Sequence, residues 1–270
     1  MGRSLLILIF LMGLMAQAEA QMPKSQELTL RPSRLAARIP PIWIDLLARQ
    51  MKYAEDQSKT ALRVTERNQR LVNDLANEPQ QSNGDGKAPF TRDQANALYF
   101  KNLSHPVVGN AALSLYDTPD RRFGFCFGRA QWVAIELLRL GVRKENIKKI
   151  FAVGNMRDQD ISWQFHVATM VRVDDGEWIA IDTELSRIAT ATEWVSQLER
   201  ISTDGKLLFF VTEIDRLGAS STMKFGPAEF RNPFNDPNYN KYFEDMMADF
   251  RSQSQSKAAM QRAQCSRVFR

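Results

Sequence analysis

The chain is expected to fold as an α+β protein, on three observations. Ala130, Val133, Ala134, Leu137 and Leu138 recur at the spacing of one buried helix face. Short apolar segments of strand character follow between Lys148 and Thr212. Asp174-Asp175-Gly176 separates two of them and reads as a hairpin turn. A helix followed by antiparallel strands is an α+β pattern, not an alternating one. With 270 residues, 44% hydrophobic and 25% charged, the composition is globular, with room for one core and an accessory segment.

The elements follow in order. Residues 1–20, MGRSLLILIFLMGLMAQAEA, have a basic start at Arg3, an apolar run from Leu5 to Met15 and a small-x-small site at Ala18-Glu19-Ala20. This is the pattern of a secretory signal cleaved after Ala20; the run is short for a membrane span, and an uncleaved anchor is the alternative. Export to the periplasm or the extracellular space is expected, with no stable membrane insertion after cleavage. Residues 21–89 form an N-terminal helical segment and linker. Ile42 to Ala76 is rich in helix formers, and Asn77 to Pro89, NEPQQSNGDGKAP, is the clearest linker. This segment fits a pro-segment, an inhibitory cap or a partner-binding arm, and equally a helix packed permanently on the main domain.

Residues 90–253 are expected to be the main domain. Phe90 to Leu115 reads as helix then loop. Gly141 suits the C-terminal cap of the helix after Cys126. Strands are expected at Lys148–Gly154, Trp163–Val173, Glu177–Leu185 and Lys206–Thr212. Thr190 lies three residues before Glu193, a capping-box pattern that starts a helix. A last helix is expected from Asn238 to about Gln253, and residues 254–270 read as a polar tail.

The net charge is +5, with basic residues scattered and no aromatic-interleaved basic motif, which argues against nucleic acid as a partner. Two histidines far apart and two cysteines far apart give no zinc spacing, and there is no phosphate-cradling glycine loop. No cofactor or metal is expected. Oligomeric state is not encoded in any feature of the chain.

Cys126 lies where the helical pattern starts, in RRFGFCFGRAQWVAIELLRLG. A thiol works as a nucleophile only as thiolate, and an ordinary one has a pKa near ~8.5. A helix N-terminus has unsatisfied N–H groups and a partial positive charge, both of which favour the anion. Gly124 and Gly128 would allow close approach of backbone or substrate. His166, in the strand WQFHVATMV, is the candidate base, on the less bulky face with Gln164, Ala168 and Met170. His105, beside Pro106, reads as a loop histidine with a surface or structural role. Asp182, in WIAIDTEL, is a carboxylate among apolar residues, and a buried carboxylate needs a partner. If the hairpin loop has three residues with Gly176 left-handed, Val173 pairs with Glu177, Ala168 faces Asp182, and His166 is its diagonal neighbour on the same face. A two-residue loop would put them on opposite faces.

Cysteine on a helix start, histidine on a strand and aspartate on the next strand is the papain-like, transglutaminase-like order. GFCFGRAQWVAIELLRLG, SWQFHVATMV and WIAIDTEL with TATEW resemble, in order, three segments of the bacterial protein-glutaminases, over about Phe123 to Trp194. The departure is Thr183-Glu184, where that family tends to have Pro-Ser. The resemblance implies a papain-like core with the cysteine helix packed on an antiparallel sheet. It also implies a Cys126–His166–Asp182 triad and a protein or peptide substrate bearing glutamine, deamidated through a thioester. It makes residues 21–89 a candidate inhibitory region. The Cys126 N–H is one expected oxyanion donor, with the loop Asp117 to Arg122 a candidate for the second. The same acyl-enzyme also serves a cysteine protease, a cell-wall amidase or a transglutaminase. A non-enzyme remains: a secreted binding module with a Cys126–Cys265 disulfide, as an oxidising compartment permits.

Overall fold

The computed structural model describes residues 52, 61–79, 89–116, 125–158, 161–216, 218, 219 and 237–268. The expected signal sequence, most of the linker and the loop Asp117 to Arg122 lie outside these residues, as does Gly124.

The fold is α+β. Helices α1 (Ala61–Asn77), α2 (Arg92–Leu103) and α3 (Cys126–Arg139) come first. Strands β1 (Ile147–Asp158), β2 (Ile161–Arg172), β3 (Trp178–Ile181) and β4 (Ala189–Thr190) follow, then α4 (Ala191–Glu199), β5 (Leu208–Glu213) and α5 (Pro237–Val268). The five strands form one antiparallel sheet in the order β4-β3-β2-β1-β5. Helices cover both faces. On one, Ala130, Val133, Ala134 and Leu137 of α3 pack against Ile147, Phe151, Val167 and Val171, with α2 and α5 around them. On the other, Trp194, Val195 and Leu198 of α4 pack with Val72 and Leu75 of α1 over Ile150, Ala152, Ala168, Met170 and Phe209. Strands buried on both faces read as continuous apolar runs, which is why β1 and β2 stand out in the sequence.

The β2–β3 turn sets the register of the site. Val173 N–H donates to Glu177 O at 3.0 Å, and Gly176 N–H to Val173 O at 2.9 Å. Gly176 has φ 85°, a conformation costly for a residue with a Cβ. Pairing runs from Arg172↔Trp178 to Thr169↔Ile181 and places Asp182 opposite Ala168, the register of the three-residue loop. Helix α3 ends in a Schellman pair, with Gly141 N–H to Leu138 O and Val142 N–H to Leu137 O, both 3.0 Å.

Four elements differ from the sequence expectation. β3 stops at Ile181 and not Leu185, because Asp182 turns its backbone and side chain into the loop that follows. β1 continues to Asp158 through an irregularity between Val153 and Met156. The two-residue strand β4 is too short to have a periodicity. α5 runs on to Val268, through the stretch read as a polar tail; Tyr242, Phe243, Met246 and Phe250 bury one face of its first half, and residues 251–256 are largely exposed.

The helix α1 packs against the edge of the sheet, a contact that both a pro-segment and a permanent helix would make. Asn68 on α1 is buried, donates to Leu207 O at 2.9 Å and accepts from Phe209 N–H at 3.3 Å. A side-chain amide thus stands in for a neighbouring strand at the β5 edge. Lys148 pairs with Glu78 at 2.5 Å, and Arg172 donates to the carbonyls of Glu78 and Pro79, which fixes the end of the helix. Among the described residues no helix is long and apolar enough to cross a membrane.

Candidate active site

Cys126 is the first residue of α3. Three contacts seat this helix. Its apolar face packs on the sheet, Thr169 Oγ1 donates to Ala130 O at 2.6 Å, and the buried Lys149 Nζ donates to Gln131 Oε1 at 2.8 Å. Thr169 and Lys149 are cross-strand partners, so β1 and β2 hold the first two turns together. Gly128 faces neither substrate nor open space: a Cβ there would stand 2.1 Å from Cε1 of Tyr242. The missing side chain lets α5 lie against the first turn of α3. Cys126 is a buried thiol and not half of a disulfide, so the bridge to Cys265 is not formed. The side chain of Cys265 lies outside the described residues.

His166 projects from β2 on the same face as Ala152, its partner across the strands. Its Nε2 donates to Asp182 Oδ2 at 2.6 Å. The ring also shares a hydrogen bond with Cys126, and with Nε2 occupied this falls to Nδ1. β3 ends at Ile181, opposite Thr169, so the β2 edge is not paired by β3 at His166, three residues further along, and the imidazole can reach past that edge to α3. Burial alone would lower the pKa of His166. The charge of Asp182, its hydrogen bond and the contact with Cys126 outweigh burial and raise it to about 10. These contacts favour the charged form of the ring.

Asp182 stands just beyond the end of β3. Burial works to raise its pKa, but His166, the Trp194 indole and the Glu184 N–H hold it below the usual carboxylate range. Oδ2 accepts from Trp194 Nε1 at 2.7 Å as well as from His166; Oδ1 accepts from Glu184 N–H at 3.0 Å. Trp194 also stacks on His166, ring centroids 5.7 Å apart and planes at 16°. One indole therefore orients both base and carboxylate. Its place depends on the capping box at the start of α4: Thr190 Oγ1 accepts from Glu193 N–H at 3.1 Å, and Glu193 Oε2 from Thr190 N–H at 2.9 Å.

Two residues at the site were missed in the sequence as functional. Arg129, one turn after Cys126, pairs with Glu184, two residues after Asp182. The pair ties α3 to the loop that carries the carboxylate. The charged residue at Glu184, where the resembled family has Pro-Ser, was the available signal. Trp194 was legible as part of a motif but not as a hydrogen-bond donor.

His105 lies in a loop, as expected, but is buried and structural. Its Nδ1 accepts from Val107 and Val108 N–H at 3.1 and 3.2 Å, and its Nε2 donates to Asp249 at 3.1 Å. It packs on Trp132 at 4.8 Å. Burial lowers its pKa against the pull of Asp249. It joins α2, α3 and α5 and takes no part in the cluster around Cys126. No group of three metal-ligating side chains occurs among the described residues.

The chain matches no protein-family model and no curated protein. Among solved structures, pro-protein-glutaminase is similar with a TM-score of 0.41 at 17% identity, over 65% of this chain and 64% of that one. A mutant of pro-protein-glutaminase is similar with a TM-score of 0.41 at 18% identity, over 62% of each chain. The chain spans just under two thirds of the length of these two structures.

Proposed function

We propose that the protein is a cysteine hydrolase that deamidates glutamine side chains in proteins or peptides. The observation that carries this reading is the His166 ring, hydrogen-bonded to the Cys126 thiol on one side and to a buried carboxylate on the other. Such a line suits nucleophilic catalysis: the imidazole is placed to take the proton of the attacking sulfur, and the carboxylate orients and supports the charged ring.

The Cys126 thiolate attacks the side-chain carboxamide carbon. A C–S bond forms and the carbonyl electron pair moves to oxygen. His166 gives its proton to the nitrogen; the C–N bond breaks and ammonia leaves. A thioester remains. Neutral His166 then takes a proton from water, whose oxygen attacks the thioester. Collapse expels the sulfur and leaves glutamate. Asp182 fixes the ring orientation throughout. Glutamine specificity, as against a peptide bond, is supported by the three-segment sequence resemblance and not by the triad, which serves both.

The test is to incubate the full chain with a glutamine-containing protein and measure ammonia, new amino termini and crosslinks together. Ammonia alone is expected. New termini would make the enzyme a protease and crosslinks a transglutaminase; ammonia release persisting in Cys126→Ala would remove the nucleophile. We also propose that the chain is exported and cleaved after Ala20, so that the exported protein starts at Gln21.

A further inference from the structure

Attack on a carbonyl moves negative charge onto oxygen, and that oxygen needs donors already in place. The N-terminus of α3 is one source. The residue before it, Phe125, makes no side-chain cap, and the first turn has no acidic residue to offset its partial positive charge. A second observation comes from Arg129. It is 5% exposed, and side chains of a helix lean back over the turn before them, which carries its guanidinium toward Cys126. Burial works against its charge, but Glu184, Cys126, Tyr242 and Asp182 outweigh burial and raise its pKa. Glu184 takes Nη2, whereas Nη1 is buried with no hydrogen-bond partner among the described residues. A buried guanidinium nitrogen without an acceptor is rare enough to require an explanation.

We propose that the α3 N-terminus and Arg129 Nη1 together form the oxyanion site, the ligand being the acyl oxygen of the bound amide as it becomes negative. Arg129 is paired with Glu184 through Nη2 alone, so Nη1 is left to meet charge that develops beside Cys126. As the C–S bond forms, negative charge passes from sulfur to the acyl oxygen, and Nη1 donates to it there. On collapse the electron pair returns to the carbonyl and the donor is released. This rests on the acyl-transfer reading, but not on glutamine as the substrate.

Two reactions of the same thiol separate the roles. Acylation by p-nitrophenyl acetate passes through a tetrahedral oxyanion, and alkylation by iodoacetamide does not. Both are measured on the full chain carrying Cys265→Ser. In Arg129→Met, acylation is expected to fall by ~10²–10³-fold, at least about tenfold more than alkylation, which registers only the effect of the lost charge on the sulfur. Arg129→Lys, which keeps a cationic donor, is expected to fall between and serves if the methionine variant does not fold. Equal losses in the two reactions, or no loss of acylation, would overturn the proposal. Failure of the wild-type chain to release ammonia, with the acylation deficit present, would sink the deamidase reading alone.

Discussion

Trp194 illustrates how much one side chain does at this site. Its indole donates to Asp182 and its ring lies on His166, so it settles where both groups point. A hydrogen bond to a charged group is worth about 1.5–3 kcal/mol, so Trp194→Phe is expected to lower kcat by about tenfold or more with KM little changed. His166→Ala and Cys126→Ala are expected to abolish turnover. His105→Ala is expected to cost about 1–3 kcal/mol of stability, because it leaves two buried N–H groups unpaired, while the folded fraction retains its kcat. The pH behaviour follows from two shifts of opposite sign. The raised His166 pKa contributes stability that is complete below pH 6.5 and is lost as pH rises through about 10. The lowered Asp182 pKa contributes stability that is present above 3.8 and is lost as pH falls through its lower folded value. Thermal unfolding against pH should therefore show a plateau with both limbs, and turnover should decline on the alkaline side near pH 10. His166→Ala should remove the alkaline limb of the unfolding curve; a limb that persists would show that another group sets it.

At the scale of elements, α1 and β5 depend on each other. β5 is an edge strand, and Asn68 supplies the partners its outer side lacks. Asn68→Ala is expected to cost about 2 kcal/mol, read by denaturant unfolding, since it strands a buried N–H and a buried carbonyl together. The same contacts hold Ala61–Asn77 against the edge of the sheet. Two helices were legible in outline because their signals are local, namely the spacing of apolar residues after Cys126 and the capping box at Thr190. The length of β3 was not. WIAIDTEL has strand character throughout, and it stops at Ile181 because the Asp182 carboxylate is held by three donors from elsewhere in the chain and close by.

Among the described residues of the whole molecule, one sheet is covered on both faces, and the candidate site lies where the two faces meet. α3 comes from one side and the His166–Asp182–Trp194 group from the other, across an edge that β3 leaves open. α5 closes the first side, with Tyr242 against Gly128. Further along α5, residues 251–256 are largely exposed. Ending the chain after Gln255 is expected to leave Tm within about 2 °C and kcat unchanged; a larger loss would mean that the far end of α5 is part of the folding unit.

The order of chemical groups was present in the primary structure: a thiol at a helix start, an imidazole in a strand, a carboxylate in the next. So was the hairpin register, because a three-residue turn with glycine at its left-handed position leaves one alignment of β2 with β3. These are consequences of backbone geometry over a few residues. The convergence of the three groups is of another kind. It required β3 to be short, Trp194 to arrive from a helix packed on the far face, and Arg129 to find Glu184 across the gap between α3 and the loop after Asp182. Each is a contact between segments distant in the chain, governed by packing and by the need of buried charges for partners, and no local pattern of residue types encodes which distant partner will answer that need.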